Sequence, residues 1–113
     1  MNKVTKYKNI VKPTVQIAIP NDPSLEIATV LIEDEARGHY MLYNDGWQEE
    51  RRIYGYGCFL HVEVKEDGKV WLQHDGTDLI FGELLLEAGI QKEDMVLGFH
   101  APIMRAETGF AVA

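Results

Sequence analysis

The stretch from Gly46 to Thr77, GWQEERRIYGYGCFLHVEVKEDGKVWLQHDGT, decides the fold. It holds both tryptophans, the single cysteine and an adjacent arginine pair. Between Cys58 and His74, apolar and polar residues alternate around Glu66-Asp67-Gly68, the pattern of two half-buried antiparallel strands joined by a tight loop. A two-residue turn at Asp67-Gly68 would set Val62 against Gln73 and Glu63 against Leu72, mixing the faces. A three-residue loop, with Gly68 in the left-handed conformation, pairs Val64 with Val70, Val62 with Leu72 and Leu60 with His74. One continuous apolar face results, and this register is the expectation, because a slip of one residue would turn every side chain over.

Working outward, the 113 residues suffice for one domain, residues 1–113, that buries a core without disulfides or metal. Hydrophobic and charged fractions of 46% and 26% are those of a globular chain rather than a disordered or fibrous one. One cysteine permits no intrachain disulfide, which suits a reducing compartment. The lysine-rich start, with no sustained apolar run, predicts no secretory signal, and no stretch is long enough for a bilayer, so a cytoplasmic protein without membrane association is expected. The net charge of -7 is uneven. The first twenty residues carry Lys3, Lys6, Lys8 and Lys12 and no acid, leaving seven basic against eighteen acidic side chains, a balance of -11, in the rest. Such a body repels phosphate backbones, so DNA contact should be weak or indirect, with the basic segment lying against the acidic body or a neighbouring subunit.

Val4, Tyr7, Val11, Val15 and Ala18 recur at helical spacing, and predict an amphipathic first helix, kinked or interrupted at Pro13. Pro20 to Ser24 turns the chain. Leu25 to Glu33 and His39 to Asn44 read as a hairpin around the polar hinge Asp34 to Gly38. Gln48-Glu49-Glu50 makes the next turn, and Arg51 opens a long strand through Tyr54 to Val64, with Gly55 and Gly57 marking a bulge or close approach. Leu79 to Ala88 predicts a helix capped by Thr77 or Asp78 and stopped by Gly89. Met95 to Phe99 is a short apolar segment, and the uncharged tail Phe110 to Ala113 should be docked as an added strand or in an oligomer interface. The fold class is α+β: an N-terminal helix, an antiparallel β-meander of about four strands, a helix packed on the sheet and a short C-terminal extension.

Catalytic and cofactor signals are weak. Cys58 and His61, three apart on a strand, should point to opposite faces, and His61 should not face His74 in the chosen register, so no metal site is expected. Gly55-Tyr56-Gly57 lacks the third glycine and the helix of a dinucleotide fingerprint. Asp75-Gly76-Thr77 has Gln73 where a nucleophilic aspartate would be needed, and reads as a turn. Ser24 lies in a turn, and Cys58 should be buried and inert, so neither has an activating base. No enzyme activity and no cofactor are expected. What stands out is Trp47, Gln48, Arg51, Arg52, Tyr54 and Tyr56, a concentration of the side chains that dominate protein interfaces. The bland alternative puts Trp47 in the core and pairs the arginines with Glu49 or Glu50.

The motifs Gly46-Trp47-Gln48, Arg51-Arg52, Cys58 to Val64, Lys69 to Gln73, Asp75-Gly76-Thr77, Glu87 to Ile90, Lys92-Glu93-Asp94, Val96 to His100 and Phe110 to Ala113 run in order along the chain. Together they resemble the XisI family, the fdxN element excision controlling factors of cyanobacteria. The chain departs from that pattern at Pro13, and at Gln91 and Ala101, where the family resemblance leads one to expect proline. The resemblance implies a small α+β accessory protein that acts with a XisH-like partner in the DNA rearrangement of heterocyst differentiation, while a separate recombinase cuts and joins. It also implies an alternative, an antitoxin-like regulator of a nuclease-like XisH neighbour, and direct DNA binding through the lysines is a further alternative. The expected partner surface comprises Trp47, Gln48, Arg51, Arg52 and Tyr54, with His100, Pro102 and Phe110 as a second candidate region, and a homodimer is expected.

Overall fold

The structure, a computed structural model, describes residues 2–21, 26–53 and 55–113. Its N-terminal helix α1 (Lys3–Gln16) starts at Asn2, whose side chain accepts the Thr5 amide at 2.8 Å. Tyr7, Val11 and Val15 are buried and Val4 and Ala18 partly so, as the helical spacing requires. The helix neither ends nor restarts at Pro13, contrary to the interruption allowed above. Pro13 is exposed while its neighbours on the buried stripe hold the helix to the sheet, and this packing outweighs the lost backbone bond.

Five strands form the main sheet in the order β1-β2-β4-β5-β6: β1 (Ile27–Asp34), β2 (His39–Gln48), β4 (Gly57–Val64), β5 (Val70–Asp75) and β6 (Met95–Leu97). A sixth, β3 (Arg51–Arg52), pairs only with the end of β2. The first four main strands are antiparallel neighbours, as the meander predicts. The last pair is parallel, because β5 leads into helix α2 (Phe81–Ala88), which carries the chain back before β6 runs beside β5. The three apolar residues of β6 are too few for the sequence alone to reveal a strand. A short helix α3 (Pro102–Arg105) follows, and the tail docks as expected: Ala111 bridges Val96 in parallel and donates its amide to Met95 O at 2.9 Å. The strand expected from Leu25 to Glu33 is β1, offset to Ile27–Asp34; Leu25 itself and residues 22–24 of the turn before it lie outside the described residues. The predicted long strand from Arg51 to Val64 is divided, and Gly55 and Gly57 have open space where a Cβ would stand, so neither marks a close approach.

The bulges sit elsewhere, and they correct the register. Val64 faces Val70 and Val62 faces Leu72 as predicted, but His61 then faces His74 and Leu60 faces Asp75, so Gln73 is the extra residue. On the other side Leu42 faces Leu60 but Tyr43 faces Cys58, making Phe59 extra. The physical reason for the first bulge is visible in what it exchanges. Unbulged pairing would put His74 on the helix-covered face beside the core. With the bulge, His74 turns outward and Asp75 turns in, where its Oδ2 accepts the Phe81 amide at 3.2 Å and its Oδ1 accepts the Thr77 amide and hydroxyl at 3.0 and 2.6 Å. A carboxylate at a helix amino terminus meets unpaired N–H groups and the positive end of the dipole. Asp75 thus does the capping expected of Thr77 or Asp78, and α2 begins two residues later than predicted. Gly89 ends α2 in the left-handed region at φ 117°, as its position predicts.

Both long helices lie on one face of the sheet. Beneath them Tyr40, Leu42, Leu60, Val62, Val70 and Leu72 are almost wholly buried. The helix-side edge is tied by charge: Lys3 Nζ meets Asp94 Oδ1 at 2.6 Å, Tyr7 donates its hydroxyl to Asp94 Oδ2 at 2.5 Å, and Lys12 meets Glu33 at 3.1 Å. Lys8 donates to Glu35 O at 2.7 Å, so most of the basic segment lies against the acidic body. No helix among the described residues is long and apolar enough to cross a membrane.

Two stability outcomes follow from these contacts. Burial alone would raise the Asp94 carboxyl, but the bonds from Lys3 and Tyr7 outweigh it and hold the group below its ordinary 3.8. Its contribution is therefore in place above pH about 4 and is lost as pH falls through the depressed value. Asp94→Ala should lower urea-unfolding stability by roughly 1–3 kcal/mol at neutral pH, by stranding the buried Tyr7 hydroxyl, and should flatten the acid limb of the stability curve. An unchanged acid limb would contradict the assignment. Gly38, at φ 79°, gives its carbonyl to the Val64 amide at 2.7 Å, and a Cβ there would stand 2.1 Å from Val64 O. Gly38→Ala should cost about 2–4 kcal/mol in the same assay, and a loss under 1 kcal/mol would show that the turn can move aside.

Candidate partner-binding site

The outer face of the sheet, opposite the helices, carries the odd-numbered residues of β2. His39, Met41, Tyr43, Asp45 and Trp47 alternate with Tyr40 and Leu42 of the core. At the far end of β2 the chain reverses through Glu49-Glu50, pairing Trp47 with Arg52 and Gln48 with Arg51. Glu49 adopts φ 57°, uncommon outside glycine. The hairpin holds Trp47 out, 53% exposed, so it is not a core residue.

Arg52 organises the cluster. Its Cζ lies 5.1 Å from the Trp47 ring centroid and 4.0 Å from that of Tyr56, and its Nε and guanidinium each meet Asp45 Oδ1 at 3.0 Å. Tyr56 in turn meets Tyr43 edge-on at 5.8 Å. The arginine's partner is thus Asp45 rather than Glu49 or Glu50. Asp45 lies past the β2 end expected at Asn44, and Tyr43, inside that strand, joins the cluster through Tyr56, a contact no periodicity predicts. Extended to Gln48, its alternation places Tyr43, Asp45 and Trp47 in one row. A guanidinium already charge-neutralised and stacked between two aromatic rings is preorganised, so a partner packing on it orders little further.

The remaining expected site residues do not all join this cluster. Gln48 and Arg51 share the hairpin but belong to the opposite face from Trp47 and Arg52, and Tyr54 lies outside the described residues. His100 and Pro102 follow β6, with β4 and β5 between them and β2, and Arg105 donates Nε to His100 O at 3.1 Å. Phe110 is half-buried against the core, with Lys92 Nζ 5.0 Å from its ring centroid. The hairpin, the β6–α3 loop and the tail are therefore separate places.

The two bulges also regroup the histidines. Cys58 and His61 share the outer face rather than opposing faces, and Cys58 is exposed, not buried. Its thiol nonetheless sits against neighbouring atoms and donates to Leu60 O at 3.4 Å, and local burial pushes it up, keeping it protonated. His39 Nδ1 lies 3.0 Å from His61 Nε2, and His39 Nε2 lies 3.7 Å from Glu63, whose other oxygen accepts the Gln73 amide at 3.1 Å. Burial, with His39 and His74 nearby and against the pull of Glu63, holds His61 below the usual imidazole range. Among the described residues no group of three or more His, Cys, Asp or Glu side chains could hold a metal ion.

Comparison with known proteins agrees with this architecture. A crystal structure of a XisI-like protein from Anabaena variabilis superposes with a TM-score of 0.86 at 39% identity, covering 97% of this chain and 99% of that one. A second, of the fdxN element excision controlling factor XisI from the same organism, gives 0.79 at 30% identity, covering 99% and 100%. No curated protein matches the sequence. The family model described as XisI protein matches residues 1–112, and with these two structures it shows that the chain belongs to the XisI family.

Proposed function

We propose that this protein is a non-enzymatic accessory factor that controls excision of a DNA element by binding a XisH-like partner in the cytoplasm. The observation that carries the reading is Trp47, exposed at the tip of a hairpin and stacked with Arg52 and Tyr56 over a neutralising Asp45. Trp, Tyr and Arg are the residues on which interface energy concentrates, and an exposed tryptophan held in place by an arginine has no role in the chain's own core. The family's association with fdxN excision, carried by the relative from Anabaena variabilis, supplies the process.

Direct DNA binding is less well supported. Lys3 and Lys12 already pair with Asp94 and Glu33, and Lys8 donates to the Glu35 backbone carbonyl, so phosphate contact would first have to break these contacts, on a chain of net charge -7.

Arg51→Glu combined with Arg52→Glu, or Trp47→Ala alone, should lower affinity for a co-expressed XisH-like protein by at least about thirtyfold, the loss of one hot spot. Co-purification measures it, with circular dichroism showing the fold retained. Undiminished co-purification by both variants would exclude this surface.

A further inference from the structure

The outer face of the sheet is half covered by its own chain. Over β5 and β6 the C-terminal segment closes down: Arg105 Cζ stands 5.0 Å from the Trp71 ring centroid, and a Cβ on Gly98 would lie 3.0 Å from Trp71 and 2.6 Å from Gln73. Over β1, β2 and β4 the C-terminal segment leaves it bare, with Tyr56 and Arg52 lying against Tyr43 and Asp45 at the far end of β2. That half presents Val30 and Ile32 at 41% and 49% exposure, together with Met41, Tyr43 and Cys58. Its carboxylates are already engaged, Asp45 by Arg52 and Glu63 by Gln73. Beside this floor, the α3 turn raises Ile103 and Met104, 86% and 50% exposed, on the same side of the sheet.

We infer that this face is the interface of a homodimer in which α3 of each copy packs on the bare β1–β2–β4 floor of the other. A two-fold axis running along the strands, between the covered and bare halves, sets each apolar turn over the opposite floor. Residue and partner then exchange roles, as a two-fold interface requires. The area is right. Three strands about 4.8 Å apart and eight residues of about 3.4 Å give a floor of roughly 400 Å². Burying floor and turn on both copies removes on the order of 800 Å² from each, the size of a standard stable interface. The charge is compatible as well, since two chains of -7 would approach through a face on which Arg52 neutralises Asp45 and Arg37 neutralises Asp34, while Glu63 accepts from Gln73. The same axis leaves both Trp47 hairpins at one end of the dimer, beyond the floor, so the two surfaces adjoin at Tyr43, which touches Tyr56 of the hairpin cluster, without Trp47 being covered.

The test uses the intact chain in sedimentation equilibrium at tens of micromolar. The wild type should show twice the 12.9 kDa chain mass. Ile32→Lys, on the floor, and Ile103→Glu, on the turn, should each be monomeric, and their equimolar mixture should recover dimer mass, because the new lysine and glutamate meet across one of the two contacts. Ile17→Glu, exposed at the end of α1 on the helix side, should remain dimeric. Ile103 is so exposed that its substitution cannot unfold the chain, which keeps the test valid should Ile32→Lys misfold. Maleimide labelling of Cys58, the single thiol, should be at least tenfold slower in the wild type than in Ile103→Glu. A monomeric wild type, or a dimer indifferent to Ile103→Glu, would overturn the inference, as would a mixture that stays monomeric.

Discussion

The exchange of His74 for Asp75 at the Gln73 bulge is the constraint on which the rest of the structure depends. One extra residue in β5 removes an imidazole from the helix-covered face and substitutes a carboxylate that has work to do there, binding the first amide of α2 and the Thr77 loop. Without that capping, α2 would open with unsatisfied N–H groups against the sheet. With it, α2 seals one end of the core while α1 seals the other, and the helix-covered face becomes dry. The exposed Trp47 and the His39–His61 pair lie on the opposite face.

That division of labour gives the two faces different chemistry. The helix-covered side is closed by packing and by the Lys3–Asp94–Tyr7 cluster, which spans 91 residues of sequence and fastens the chain's start to the turn before β6. Two buried polar atoms among the described residues, the Tyr40 hydroxyl and the Trp71 indole nitrogen, lack a hydrogen-bond partner. For Tyr40, burial together with the carboxylates of Glu35 and Glu33 pushes the phenol up to about 12, so it stays neutral. The outer side is left bare by the chain itself over β1, β2 and β4, and the Trp47 hairpin extends beyond its end. A surface so divided suits recognition, since rigid strands hold the exposed rings in place at little entropic cost.

Much of this was legible in the sequence where periodicity was long. The stripe from Val4 to Ala18, the Val62–Leu72 and Val64–Val70 pairs, the Gly89 stop and the docked tail all appear as read. What alternation could not reveal was the bulges, because a strand that inserts one residue still alternates on either side of the insertion. Strict phase at Leu60 carries consequences with it: it separates His61 from His74, turns Cys58 inward and leaves the cap of α2 to Thr77 or Asp78, each of which the bulges reverse. A sign was present in His74-Asp75, where keeping strict phase would have placed an imidazole in the core while a helix waited for a carboxylate. The three-residue β6 and the pairing of Arg52 with Asp45 were hidden for different reasons, one too short to carry a period and the other dependent on how far β2 runs.

A closed helix face and an open sheet face are most directly distinguished by hydroxyl-radical footprinting of the protein alone and bound to a XisH-like partner. Oxidation of Trp47 and Tyr56 should fall at least fivefold on binding while Tyr7 and Tyr40, buried in both states, stay unreactive. Protection confined to exposed residues of α1, with Trp47 oxidised as freely as before, would contradict the assignment of function to the sheet's outer face.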